Sequence, residues 1–153
     1  MPSVREYAFK ILSRREHSVF EFREKLKEKF PEKEQERAQV EQEFIDHQWV
    51  SDERFLESYL HDEQQRAQNG SLKIFQKLRQ KGIDEEEVKK KIKEFFPEER
   101  EQDTAIRLAN QKRKEIRQRG KKLSELEIQQ RVLRFLVGKG YSFDRAMRSV
   151  RKK

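Results

Sequence analysis

Cysteine is missing from this 153-residue chain, so neither a disulfide framework nor a thiolate zinc site can form, and nothing in the composition argues for secretion. Glycine is scarce, at five residues. Gly138-Lys139-Gly140 lacks the Gly-x-x-x-x-Gly-Lys-Ser/Thr spacing of a phosphate loop and reads more simply as a helix stop. No apolar run approaches the ~20 residues needed to cross a membrane. The first twenty residues alternate apolar with charged positions and lack the apolar stretch of a signal peptide. A cytoplasmic protein with no membrane partner is therefore expected. No alternating stretch specifies a convincing strand.

What is present is charge and aromatic carbon. Charged residues make up 43% of the chain and hydrophobic ones 33%, which argues against a thick core. Eleven Phe, three Tyr and one Trp are spread along the length, whereas disordered chains lack such aromatics. Thin layers of amphipathic helices, each with a narrow apolar seam, reconcile the two numbers.

A helical pattern recurs three times. LRQKGIDEEEVKKKI (78–92) lies over LVGKGYSFDRAMRSV (136–150) at an offset of 58 residues. In that register Leu78 matches Leu136, Lys81-Gly82 matches Lys139-Gly140, Ile74 matches Val132, and Ile92 matches Val150. A third copy, FREKLKEKFPEKEQERAQV (22–40), places Phe22 and Leu26 where Ile74 and Leu78 stand, without the glycine. Repetition at this period means small helical units that must bury their apolar stripes against neighbours. The expected fold is all-α: three tandem three-helix repeats, residues 1–50, 51–97 and 98–153, forming an elongated, curved modular array.

Nine helices are expected. The first covers about 4–15. Ser18 caps the second, with Glu21 completing a Ser-x-x-Glu capping box; Pro31 suits the first turn of the third, which runs to about His47. Ser51 or Asp52 opens the fourth, ended by Asn69-Gly70, and the fifth runs from about Ser71 to Lys81. Asp84 with Glu87 caps the sixth, which reaches Phe95-Phe96. The seventh spans about 98–119 and stops at Gly120. Ser124 and Glu127 cap the eighth, and Ser142 starts the ninth, whose seam is Phe143, Ala146 and Val150.

Catalysis has little to stand on. His17, His47 and His61 are scattered, none three or four residues from another as a helical metal pair requires, and each is expected at the surface. Asp46-His47 and His61-Asp62 are sequence neighbours, which puts the side chains of each pair on different helix faces. The run Asp84 to Glu87 fits a helix cap that complements the dipole better than a metal site. No nucleophile, base and oxyanion arrangement is legible, so no enzyme activity and no cofactor are expected.

The net charge of +8 is unevenly placed. Residues 1–50 carry −1, residues 51–97 are neutral, and residues 98–153 carry +9. A neutral body with one basic end points to a polar partner met at that end. Arg145, Arg148 and Arg151 recur every three residues on the ninth helix, off its apolar seam, and Lys152-Lys153 extend the row. Arg131 and Arg134 lie on the eighth helix, and Lys112, Arg113, Lys114, Arg117, Arg119, Lys121 and Lys122 crowd the end of the seventh. Phe20, Trp49, Phe95 and Phe96 could stack on bases if exposed, but their helical spacing assigns them to the core between repeats.

WVSDERFLESYL (49–60), RAQNGSLKIFQKLRQKGI (66–83) and AFKILSRREHSVFEFREKL (8–26) resemble the RecX regulators of the bacterial recombinase RecA, with Asp52, Arg54, Phe55, Gly70 and the KLRQKGI segment the most specific. Phe30 stands where such proteins generally carry a glycine. The resemblance implies a modular fold of three three-helix units. It also implies a non-enzymatic regulator of DNA repair, recombination and the SOS response, which binds in the groove of the RecA filament and hinders filament extension, ATP hydrolysis and strand exchange. The partners so implied are RecA and DNA held within the filament, met by a monomer. Arg66 and Lys73, flanking Gly70, would contribute from the middle repeat, and Arg131, Arg134, Arg145, Arg148, Arg151 and Lys152 from the third. A second reading is a stand-alone DNA-binding helical module, since three-helix units with a basic last helix also describe helix-turn-helix readers. Against it, no helix combines clustered Arg with Asn or Gln at base-reading spacing.

Overall fold

The computed structural model describes residues 1–120 and 122–151. Among them are nine α-helices and no strand: α1 (Val4–Arg14), α2 (Val19–Lys29), α3 (Glu34–Asp46), α4 (Asp52–Arg66), α5 (Ser71–Gln80), α6 (Glu85–Phe95), α7 (Glu98–Gln118), α8 (Glu125–Gly138) and α9 (Phe143–Arg151). The all-α reading and its repeat pattern hold, because apolar residues return at helical spacing and acids gather in first turns, as Glu85, Glu86 and Glu87 do in α6. Phe22, Ile74 and Val132, matched across the repeats, are all fully buried. Burying each such side chain stabilises the fold by about 1.5–3 kcal/mol.

The chain divides into two compact units: residues 1–60 with 78–88, and residues 61–77 with everything from Lys89 onward. Each of α4, α5 and α6 is shared between them. The first unit has a core of Val4, Ala8, Phe22, Leu26, Phe30 and Phe44 among others. The second is centred on Leu108, Val132, Leu136, Tyr141, Ala146 and Val150.

One joint recurs in both units. In the first, Gly82 at the end of α5 takes a left-handed φ of 78° and lies so close to the start of α2 that a Cβ there would sit 2.6 Å from Cβ of Phe20. Asp52, the first residue of α4, accepts a hydrogen bond from Val19 N–H at 2.8 Å, and Lys81 Nζ reaches Glu21 at 2.8 Å. In the second unit Gly140, at the end of α8 with φ 100°, lies against Lys73 at the start of α5. Glu101 of α7 accepts from Ser71 N–H at 2.7 Å, as Asp52 does from Val19. Each joint thus sets a Lys-Gly stop, and a carboxylate from the next repeat's first helix, on the N-terminus of the preceding repeat's second helix, where unpaired N–H groups need acceptors.

Several local expectations are corrected. Pro31 is not in the first turn of α3. Phe30 must turn into the core, where its ring meets Tyr7 edge-on at 5.6 Å, so residues 30–33 form a turn closed by Lys33 N–H on Phe30 O at 3.3 Å and the helix begins later, at Glu34. Asn69-Gly70 does not stop α4; Ala67 takes the left-handed position with φ 49°. Gly70 serves close approach instead, since a Cβ on it would lie 2.5 Å from the Gly140 carbonyl carbon. The Ser18–Glu21 box is half made. Ser18 Oγ accepts from Glu21 N–H at 3.1 Å, but the Glu21 carboxylate turns to Arg15 and Lys81, two cations being stronger partners than one amide. The Ser124–Glu127 box is complete.

Four side chains change place from where the sequence puts them. Phe143 is 61% exposed and leaves the α9 seam to Ala146, Ser149 and Val150, while Tyr141, one residue before Ser142, fills the core. Phe20 is half exposed, with the Gly82 backbone against its ring, and Trp49 is partly exposed beside Phe9 and His47. His17 is not a surface residue. It is 1% exposed, held by Arg15 O on Nδ1 at 3.0 Å and Lys25 Nζ on Nε2 at 2.9 Å. That pairing requires the proton on Nδ1, and burial lowers the His17 pKa below its usual value.

Candidate functional site

The candidate cations that the structure describes all lie in the second unit, and they differ sharply in how committed they are. Arg66, at the C-terminal end of α4, keeps 68% of its side chain exposed, with Glu63 at 3.9 Å. Lys73 is half-buried on α5, its backbone pressed by Gly140. Arg131 and Arg134 project from α8, and Arg148 from α9, all exposed. Lys152 lies outside the described residues, as do Lys121 and Lys153.

Arg145 departs from the expected exposed row. Its side chain is only 12% exposed. The guanidinium donates to Glu98 O at 3.1 Å and to Gln102 Oε1 at 3.2 Å, and Glu101 stands 3.8 Å away. The cause is rotational: residues 145 and 149 are one helical turn apart and share a face, and that face packs on α7, where Ser149 bonds Gln102 at 2.7 Å. Arg145 is thereby a tie between helices. Arg148 and Arg151 remain outside, lining one shallow concavity with Phe143, Asp144 and Met147.

The basic end of α7 is sorted in the same way. Arg117 pairs with Glu125 at 3.1 Å, Arg119 with Glu115 at 3.0 Å, and Lys112 with Glu115 at 3.6 Å while lying over the Phe135 ring. Arg113 donates to Val150 O at 2.7 Å, filling a carbonyl at the end of α9. Arg107, which the sequence did not single out, donates to Ala67 O at 2.5 Å. Its signal was present only as one more Arg on a charged helix. Lys114 and Lys122 stay exposed.

Two further features frame this surface. Tyr141 is buried beside Glu101, its hydroxyl donating to Gln68 O at 3.2 Å; burial raises its pKa well above the usual value, and the Glu101 carboxylate adds to this. A cleft of about 610 Å³ has an apolar floor of Leu72, Phe75, Ile92 and Phe96, edged by Glu98 and Arg145. Among the described residues no group of three or more His, Asp or Glu side chains converges as a metal site, and no helix is long and apolar enough to cross a membrane.

Repeated helical units, a basic surface in the last of them and polar side chains tied mainly into helix contacts define an all-α helical-repeat protein. Comparison with known proteins agrees. Residues 51–91 match the model of the second three-helix domain of RecX. The chain is 32% identical over 142 residues to the regulatory protein RecX of Neisseria meningitidis serogroup C, covering 93% of this chain and 85% of that protein. A crystal structure of regulatory protein RecX superposes with a TM-score of 0.79 at 25% identity, over 93% of this chain and 67% of that one. RecX from Lactobacillus salivarius shares the fold with a TM-score of 0.76 at 19% identity, over 96% and 92%. The chain belongs to the RecX family.

Proposed function

We propose that this protein regulates the RecA recombinase by binding in the groove of the RecA–DNA filament, where it restrains filament extension, ATP hydrolysis and strand exchange. It would act in the cytoplasm, in DNA repair, recombination and the SOS response, as a monomer of three repeats at residues 1–50, 51–97 and 98–153. Membership of the RecX family, at 32% identity over 93% of the chain, is the observation that carries this reading. Inhibition would come from occupancy of the groove and would need no chemistry from the protein itself. The third repeat, with +9 of the charge, would supply most contacts to DNA phosphates through Arg131, Arg134, Arg148, Arg151 and Lys152. Arg66 and Lys73 would set the position of the middle repeat, and Arg145 would hold the α7–α9 face in shape.

RecA's DNA-dependent ATP hydrolysis, measured with increasing amounts of this protein, tests the proposal. Progressive inhibition is expected; unchanged hydrolysis at saturating protein would overturn it. Binding to bare DNA as tight as to RecA-coated DNA would instead favour a stand-alone DNA-binding helical module.

A further inference from the structure

Away from Arg145, the third repeat holds a concavity of about 500 Å³ where α7, the start of α8 and the end of α9 meet. Arg113, Lys114 and Arg117 line it from α7, Arg151 from α9, and the amides of Asn110, Gln118 and Gln129 add to its polar wall. Its one carboxylate, Glu125, is already paired with Arg117. Arg113 is fixed by Asn110 Oδ1 at 2.8 Å as well as by Val150 O. Lys114 and Arg151 differ from these two. Both are exposed, both face the concavity, and neither takes a hydrogen bond or ion pair among the described residues.

Four cations against a single neutralised acid make a focused positive potential, and the amides add uncharged hydrogen-bonding groups for anionic oxygens. Val150 is the one apolar residue in the lining, and no aromatic ring is present. A nucleobase or an apolar ligand would therefore find no wall to stack on, whereas successive phosphates need only distributed charge. We infer that this concavity holds the phosphodiester backbone of a nucleic-acid strand, with Lys114 and Arg151 as the contacting cations and Arg113 and Arg117 as fixed charges behind them. The inference rests on the DNA contact proposed above for the third repeat, and it moves the centre of that contact from the Arg145 row to the opposite end of α9.

Its test uses the full chain without RecA. A labelled single strand and a labelled duplex are titrated by fluorescence anisotropy across a salt series, with Lys114→Glu/Arg151→Glu set against Arg100→Glu/Lys122→Glu, two exposed cations given no DNA contact above. The second pair changes the charge equally, on the same repeat, outside the concavity. The first pair should weaken binding at least tenfold and flatten the logarithmic salt slope by about 1.4 on a single strand or about 1.8 on a duplex, the value for two lost phosphate contacts. The second pair should leave the slope as it was. Equal losses from both pairs, or none from the first, would overturn the site in favour of a diffuse basic surface. Lys114→Gln/Arg151→Gln, checked for unchanged helicity by circular dichroism, should reproduce the loss and separate it from misfolding. ATP displacing the strand at equal concentration would overturn the choice of a strand over a free nucleotide. Normal strand binding by a protein that fails to inhibit RecA would count against the preceding section alone.

Discussion

The two joints place the same parts in the same order, yet they are built from different chemistry. Where α5 stops on α2, the contact is made by side chains: Glu21 is shared between Arg15 and Lys81, both at 2.8 Å, Ser18 and Asp52 cap the helix, and Gly82 meets the Phe20 side chain. Where α8 stops on α5, main chain lies on main chain. Gly70 N–H donates to Lys139 O at 2.7 Å and Leu72 N–H to Gly140 O at 3.0 Å, so carbonyls replace the hydroxyl cap that Ser18 provides in the other joint. Side-chain joints can adjust by rotamer, and respond to pH and salt. Backbone joints have no such freedom.

Alanine at the glycines should expose that difference most strongly. Gly70→Ala would push a methyl group to 2.5 Å from the Gly140 carbonyl, and neither strand of backbone can retreat without breaking hydrogen bonds; a loss of about 3 kcal/mol or more is expected in chemical denaturation. Gly140→Ala, with φ 100°, should behave alike. Gly82→Ala meets Cβ and Cγ of half-exposed Phe20, at 2.6 and 3.1 Å, and a φ of 78°, for about 2 kcal/mol. Equal losses at Gly70 and Gly82 would mean that the two joints share one mechanism after all.

Removing charge should separate the joints in the opposite sense. Burial opposes ionisation of Glu21, but hydrogen bonds from Arg15 and Lys81 overcome it and hold the carboxyl at about 2, against an ordinary 4.5. The folded-state value is the lower one, so this stabilisation is present above pH 4.5 and is lost as pH falls from there towards 2. Glu21→Gln should cost about 1–2 kcal/mol at neutral pH, allowing for the solvent exposure of both partners, and should flatten the acid limb of the stability curve. His17 acts in the same direction at higher pH. Its lowered value means that the unfolded chain takes up the proton first, so stability declines as pH falls through 6.5. Trp49, the single tryptophan, lies in the first unit, and its fluorescence reports unfolding there.

Tyr141 gives the smallest effect and the opposite sign. Its folded-state pKa is raised, so its contribution is full below pH 10.0 and is lost as pH rises above that value. Tyr141→Phe removes a single hydrogen bond to Gln68 O; about 1 kcal/mol at neutral pH is expected, together with a shallower alkaline limb in circular dichroism. An alkaline limb unchanged by this substitution would place the high-pH sensitivity elsewhere.

Fold class, helix order and the buried register of Phe22, Ile74 and Val132 were legible in the sequence, because helical periodicity, caps and Lys-Gly stops are local properties that neighbouring residues express without a partner. The uneven charge was legible for the same reason. Tertiary structure alone decided which cations are free. Arg145 and Arg148 look equivalent in sequence, yet the rotation of α9 on α7 buries one and leaves the other in water. It also decided the fate of His17, whose burial depends on Lys25 reaching its ring from the next turns of α2, and of Tyr141, which displaced Phe143 from the seam. Gly70 shows the limit most directly. The sequence marks it as a helix stop, whereas its constraint comes from the Gly140 backbone seventy positions away, a close approach that no local pattern of residues encodes.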